Sequence, residues 1–149
     1  MSAVASLTVV RSSGIVELAR LAPTSSFHAY LTEHGRKPLT EYGWSGYCML
    51  HVLSYLEERG VDLSKSEFDG ESATINKVYA FCVLITPAHK RYLDQLVPAG
   101  HDREELAAHF DEMGLDLAGS GMAGLDGLKL LRDSISQLQD DEVLLLHIG

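Results

Sequence analysis

A chain of 149 residues with 46% hydrophobic and 22% charged side chains is composed like an ordinary globular protein and lies well outside the disordered class. One domain over residues 1–149 is expected, long enough to bury roughly two-thirds of its unfolded surface. The net charge of −9 is unevenly placed: residues 1–56 hold four basic and three acidic side chains, residues 57–149 eight basic and eighteen acidic. That excess argues against a nucleic-acid surface, which needs clustered Lys and Arg, and here only Arg36-Lys37 and Lys90-Arg91 pair up.

The first five residues lack a basic stretch and the first apolar run ends at Arg11, so no signal peptide is expected. No apolar stretch approaches the roughly 20 residues needed to cross a bilayer, and a cytoplasmic, reducing location is the expectation. Cys48 and Cys82 each sit in apolar surroundings, which predicts two buried thiols rather than a disulfide.

Residues 6–11 read as a short strand. A short helix is expected over 14–21, and Pro23 to Ser26 opens another that ends at Gly35, with a loop over 36–45. The next helix is the clearest element. Ser45 caps it, Met49, Val52, Leu53 and Leu56 form one buried stripe, and Gly60 with Val61 closes it. Residues 62–76 are polar and read as loop. The apolar run over 78–85 has the pattern of a strand covered on both faces. Thr86-Pro87 starts a helix through Leu96, and Asp102 with Glu105 starts one that runs to Gly114 with Leu106, Phe110 and Met113 inward. A glycine-rich link over 119–124 leads to a helix with its stripe at Leu128, Leu131, Ile135 and Leu138, and 143–148 is a last buried strand. The expected class is therefore α/β or α+β, with a small, largely buried sheet (strands near 6–11, 78–86 and 142–148) packed with five to six helices.

Chemistry concentrates in residues 42–51, which hold the one Trp, two Tyr (Tyr42, Tyr47), Cys48 and His51 around a helix start. A thiol in the first helical turn feels the positive end of the dipole, which favours thiolate. This placement, near a tryptophan and glycines, resembles the nucleophile segment of papain-type cysteine hydrolases, although the Gln-to-Cys spacing and Cys-Gly pattern of that family are not present. The resemblance implies a thiol-dependent enzyme with Cys48 as nucleophile and an imidazole from elsewhere, His147 or His89. Helical geometry sets Cys48 about 90° from the centre of the buried stripe and His51 roughly opposite the core, beside Glu58, so a packed cysteine and a solvated histidine are expected.

Seven histidines show no H-x-H, H-E-x-x-H or C-x-x-C spacing, and Cys48-x-x-His51 is half a zinc site, so no metal is expected. His109, four residues after Glu105, is expected to form a surface hydrogen bond with it. Gly119-Ser-Gly-Met-Ala-Gly124 matches G-x-G-x-x-G, but the fingerprint requires a strand ending at its first glycine, and residues 115–118 read poorly as one. It is read as a flexible link, and no cofactor is expected.

There remain the acids. Glu104 and Asp111 fall together on the outer side of their helix, with Glu105 and Glu112 beside them. Size, acidity and the missing catalytic motif resemble the general character of bacterial immunity proteins and antitoxins. The leading expectation is a non-enzymatic module that binds and masks a basic protein partner. Glu104, Glu105, Asp111 and Glu112 would steer it, and Tyr42, Trp44 and Tyr47 would be exposed aromatic anchors. The alternative is the Cys48 enzyme, and a homo-oligomer is compatible with the first reading.

Overall fold

The structure, a computed structural model, describes residues 3–38, 40–112 and 119–149. Strand β3 (Glu142–Ile148) is an almost unbroken apolar run, and such a run is stable only where both faces are covered. It lies between β1 (Ala5–Arg11) and β2 (Cys82–Ile85), antiparallel to both, in the order β1-β3-β2. Successive side chains leave a strand on opposite faces, so β3 divides the core in two. Val143 and Leu145, with Val10, Cys82 and Leu84, belong to one cluster, while Leu144, Leu146 and Ile148, with Leu7, Val9 and Ile85, belong to the other.

Helices α1 (Ile15–Leu21), α2 (Ser26–His34) and α4 (Asp69–Asn76) cover the first face through Ile15, Leu18, Phe27 and Ile75. Helices α3 (Gly46–Glu58), α5 (Arg103–Glu112) and α6 (Ser120–Ser136) cover the second. An antiparallel sheet with helices on both faces makes the class α+β, with six α-helices among the described residues.

Local chemistry explains most boundaries. On α3, the Ser45 hydroxyl accepts the Tyr47 N–H at 3.3 Å. At the other end Gly60 takes φ +81°, its N–H bonds Glu57 O, and Val61 N–H bonds Leu56 O. This is the paired closure that a left-handed glycine permits. On α5, Asp102 caps through Oδ1, 2.7 Å from Glu104 N, and Leu106 and Phe110 are buried as expected. Met113 and Gly114, and the stretch 115–118, lie outside the described residues.

Four expectations are corrected. The strand expected at 78–86 pairs only over Cys82–Ile85. Phe81, at φ +58°, turns the chain just before it, and Val78 and Phe81 are exposed, so their apolarity marks a turn and not a buried strand. The outer edge of β2 is closed by Asn76, whose amide donates to Cys82 O at 2.8 Å and accepts Cys82 N–H at 2.9 Å. The loop expected over 62–76 contains α4, which buries Ile75 alone and so has no periodic stripe to read. Pro87–Leu96 winds as 3-10 helix, not α: His89 Nδ1 accepts Thr86 N–H at 2.9 Å while Nε2–H donates to Lys65 O at 2.8 Å, which holds the first turn tight. Finally, Gly121 and Gly124 are helical, not a link. A Cβ at Gly121 would lie 2.6 Å from Arg103 O and one at Gly124 would lie 3.1 Å from Leu106, so these glycines let α6 press against α5.

Leu146 is fully buried in the central strand, and Leu146→Ala should cost about 2–5 kcal/mol in urea unfolding. Glu142, at the start of β3, pairs with Arg36, and its Oε1 accepts Gln139 N–H at 2.9 Å. Burial opposes its ionisation, but the Arg36 and Gln139 bonds prevail and hold its pKa below the usual glutamate value. A depressed pKa gives stability that is complete above the unfolded value and is lost as pH falls through the folded one. Acid titration of stability should therefore be shallower in Glu142→Gln than in the parent chain.

Candidate functional site

The turn before α3 carries Trp44 to the side of α6. Its indole N–H donates to Asp126 Oδ2 at 2.8 Å, and its ring packs over Gly119, where a Cβ would lie 3.1 Å from the indole. Asp126, Lys129 and Asp133 fall at i, i+3 and i+7 on the side of α6 away from Leu128, Leu131 and Ile135, with the buried Leu130 at their edge. Together with Glu41 and Trp44 they line an open cleft of about 260 Å³. Three carboxylates face one ammonium there, and that ammonium is loosely held, with Lys129 Nζ 3.9 Å from Asp133 Oδ2. An aromatic edge beside surplus carboxylate is suited to an organic cation, by cation–π attraction and charge-assisted hydrogen bonds.

Of the expected anchors, Trp44 and Tyr47 are half-buried against the core, and Tyr42 is not an exposed aromatic. Only 9% of Tyr42 is accessible, and its hydroxyl donates to Ala123 O at 2.7 Å, bolting the turn to α6. Burial, with Cys48 and Asp126 nearby, pushes its pKa far up. Cys48 packs in the core at 1% exposure, and burial raises its pKa despite the helix start. Desolvation thus outweighs the backbone hydrogen bond that favours the thiolate at this position.

The expected imidazole partners of Cys48 are elsewhere. Cys48 lies in the cluster on the α3 side of the sheet, whereas His147 stands beside Ser6 and Cys82 in the register of β3, on the opposite face. His89 is held between Thr86 and Lys65. His51 is half-buried and not fully solvated: α5 lies over that side of α3, the ring sits 5.6 Å from Phe110, and burial with His109 nearby lowers its pKa. No thiol–imidazole pair is assembled among the described residues around Cys48.

The acidic residues of α5 are all exposed and diverge to two sides. Glu104 and Asp111 border a wide, shallow cleft of about 480 Å³ against Gly119–Gly121 of α6. Glu105 reaches the other way, 3.6 Å from Arg59 of α3. His109 does not form the surface bond to Glu105; it is 6% exposed, with Nδ1 3.4 Å from Glu58 Oε2. Beside it, Tyr55 stacks under the Arg59 guanidinium and shares a 2.8 Å hydrogen bond with His101 Nδ1. The seam joins the acids at the end of α3 to those of α5. Glu112, at the last position of α5, extends the same charge.

Among the described residues, no group of three or more His, Cys, Asp and Glu is arranged to hold a metal ion, and no helix is long and apolar enough to cross a membrane. No protein family, curated protein or solved structure matches this chain significantly.

Sequence reasoning missed Asp126, Lys129 and Asp133. Their helical spacing was visible, but nothing local says that Trp44, some eighty residues earlier, closes over them. Burial raises Cys48 and pushes Cys82 up to about 12. Iodoacetamide near neutral pH should therefore label both thiols slowly in the folded chain and rapidly in urea. Fast labelling of Cys48 alone in the folded protein would reinstate it as a nucleophile.

Proposed function

We propose that this chain is a non-enzymatic, acidic protein-interaction module that captures a basic partner, seating an Arg or Lys side chain of that partner at Trp44. The observation that supports it is the cleft itself, in which Trp44, Glu41, Asp126 and Asp133 surround a weakly paired Lys129. An incoming guanidinium can displace Lys129 and gain two carboxylates and an aromatic ring at once. The half-buried indole, already fixed by Asp126, loses little rotamer freedom on binding, as expected of an anchor.

The exposed acids have a different role. Glu104, Glu105, Asp111 and Glu112, with Glu57 and Glu58 of α3, are solvated, and single solvated charges contribute little affinity. Their summed field speeds the encounter of an oppositely charged protein and makes it sensitive to salt. A protein that masks a basic effector, in the manner of an immunity protein or antitoxin, would use both elements.

Trp44 is the one tryptophan, so its fluorescence reports on the cleft directly. Titration with an oligo-arginine peptide should change the emission saturably, with affinity falling as salt rises. Replacing both Asp126 and Asp133 by Asn should weaken binding about tenfold. Glu104→Lys with Asp111→Lys should chiefly slow association. Static emission during binding, or equal losses from the two double variants, would mean diffuse attraction to an acidic surface and would overturn the reading.

A further inference from the structure

On the face of the sheet opposite Trp44, the space between α2, β1 and β3 is not filled by apolar side chains. It forms a cleft of about 160 Å³ whose floor is Leu145, Phe27 and Leu31. Polar side chains from three elements line it: Ser6 and Thr8 from β1, His28 from α2 with Lys37 just after it, and His147 from β3. No Asp or Glu is among its lining residues, in a chain whose net charge is −9. Acids are absent from its lining while cations and hydroxyls are gathered into it.

The groups are placed by the fold. Ser6 and His147 are opposite each other in the β1–β3 register, and Thr8 is opposite Leu145, so Ser6, Thr8 and His147 share the face that α2 covers. The segment after α2 is tied to β1 by the paired backbone bonds of Val9 and Arg36, which brings Lys37 alongside. Its ammonium ends on a hydroxyl, not on a carboxylate, with Nζ 3.0 Å from Thr8 Oγ1. Thr8 accepts that bond and keeps its own hydrogen, and the lysine keeps two more, so both can still donate. His28 and His147 each stand edge-on to Tyr79, at 5.3 and 5.7 Å, and Tyr79 in turn stacks on Phe27. Two imidazoles are thereby directed to one rim of the cleft.

We propose that this cleft binds a tetrahedral oxyanion, a free phosphate or the phosphoryl group of a small monoester, held by Lys37, His28 and His147 with Ser6 and Thr8 as hydroxyl donors. Its volume sets the class of ligand: it is below the roughly 300 Å³ at which pockets for drug-sized molecules begin. A phosphate with a few carbons lying over Leu31 matches that volume better than a nucleotide does.

The surroundings of His147 suit an anion. Burial, with His28 second, holds the His147 pKa below the usual imidazole value. The other groups facing its ring are Tyr79 ahead of β2, Cys82 beside it on β2, Ser6 on β1 and the backbone of Gly149. No Asp or Glu is among these side chains. An anion between the two imidazoles reverses the penalty, so binding takes up protons and strengthens as pH falls.

The test is an NMR titration of the histidine ring resonances of the full chain. The probes are inorganic phosphate, glycerol phosphate, and sulfate, whose charge is constant between about pH 6 and about pH 8. His28 and His147 should shift saturably, while His51, His101 and His109, on the other face, should not. Sulfate should bind about tenfold more tightly at the lower pH, and His147→Gln should reduce that dependence. Lys37→Met, at an exposed position, should weaken every probe about tenfold without changing the melting temperature. Tighter binding of glycerol phosphate than of phosphate identifies a monoester site, and the reverse identifies a free-ion site. Non-saturating shifts, equal shifts in all the histidines, or unchanged affinity in Lys37→Met would overturn the proposal.

Discussion

The whole arrangement depends on β3 being buried on both faces. A strand of Val and Leu with no polar side to turn to water has to be central, so β1 and β2 flank it and helices close both surfaces. Each apolar side chain buried there contributes about 1.5–3 kcal/mol, and their alternation decides which cluster each element joins. The one break in the run is His147, next to last in β3. Its polar ring cannot be packed among Val143 and Leu145 without cost, and that is where the α2 face opens into a cleft instead of closing over the strand.

The same two-residue period separates the chemistry of this chain into two faces. Ile148 packs toward α3 and its neighbour His147 toward α2, so Cys48 and His147 are divided by the sheet and not merely distant. A one-residue shift of register would exchange every side chain of β3 between the faces and leave its polar ring inside the larger cluster, which is why the register is strongly held. Arg36 reinforces it, pairing through its backbone with Val9 and through its guanidinium with Glu142 at the far end of the strand.

Signals carried within one turn of chain were legible in the sequence. The Ser45 cap, the Gly60 closure, the Asp102 cap, the stripe of α6 and the two long strands are each set by neighbours a few residues away. What could not be read depends on distant partners. Helix α4 is held by one buried isoleucine and by Asn76 reaching the edge of β2, neither of which makes a pattern. Gly121 and Gly124 read as a flexible link because the need for them comes from Arg103 and Leu106 of α5. Tyr42 read as an exposed anchor because its partner is the carbonyl of Ala123. The candidate site was half legible. Trp44 and the acids of α5 stood out by composition, but the carboxylates facing the indole come from a helix whose position only the packed structure fixes.

Charge is sorted cleft by cleft and not face by face, since α1, α2 and α4 also carry acids, Glu17, Glu33, Asp69 and Glu71. The acids of α3, α5 and α6 lie on the elements that cover one face of the sheet, together with Trp44, while the cleft on the other face has none among its lining residues. Clefts of opposite local sign can coexist on so small a body because the surrounding salt screens solvent-exposed charges more than about 8 Å apart, so charges beyond the rim of either cleft act weakly there. A cation approaching Trp44 is therefore attracted chiefly by the carboxylates within a few ångströms of it. An anion between His28 and His147 meets Lys37 with the distant acids largely screened. The net charge of −9 governs encounter at long range, and the local lining governs what each face can hold.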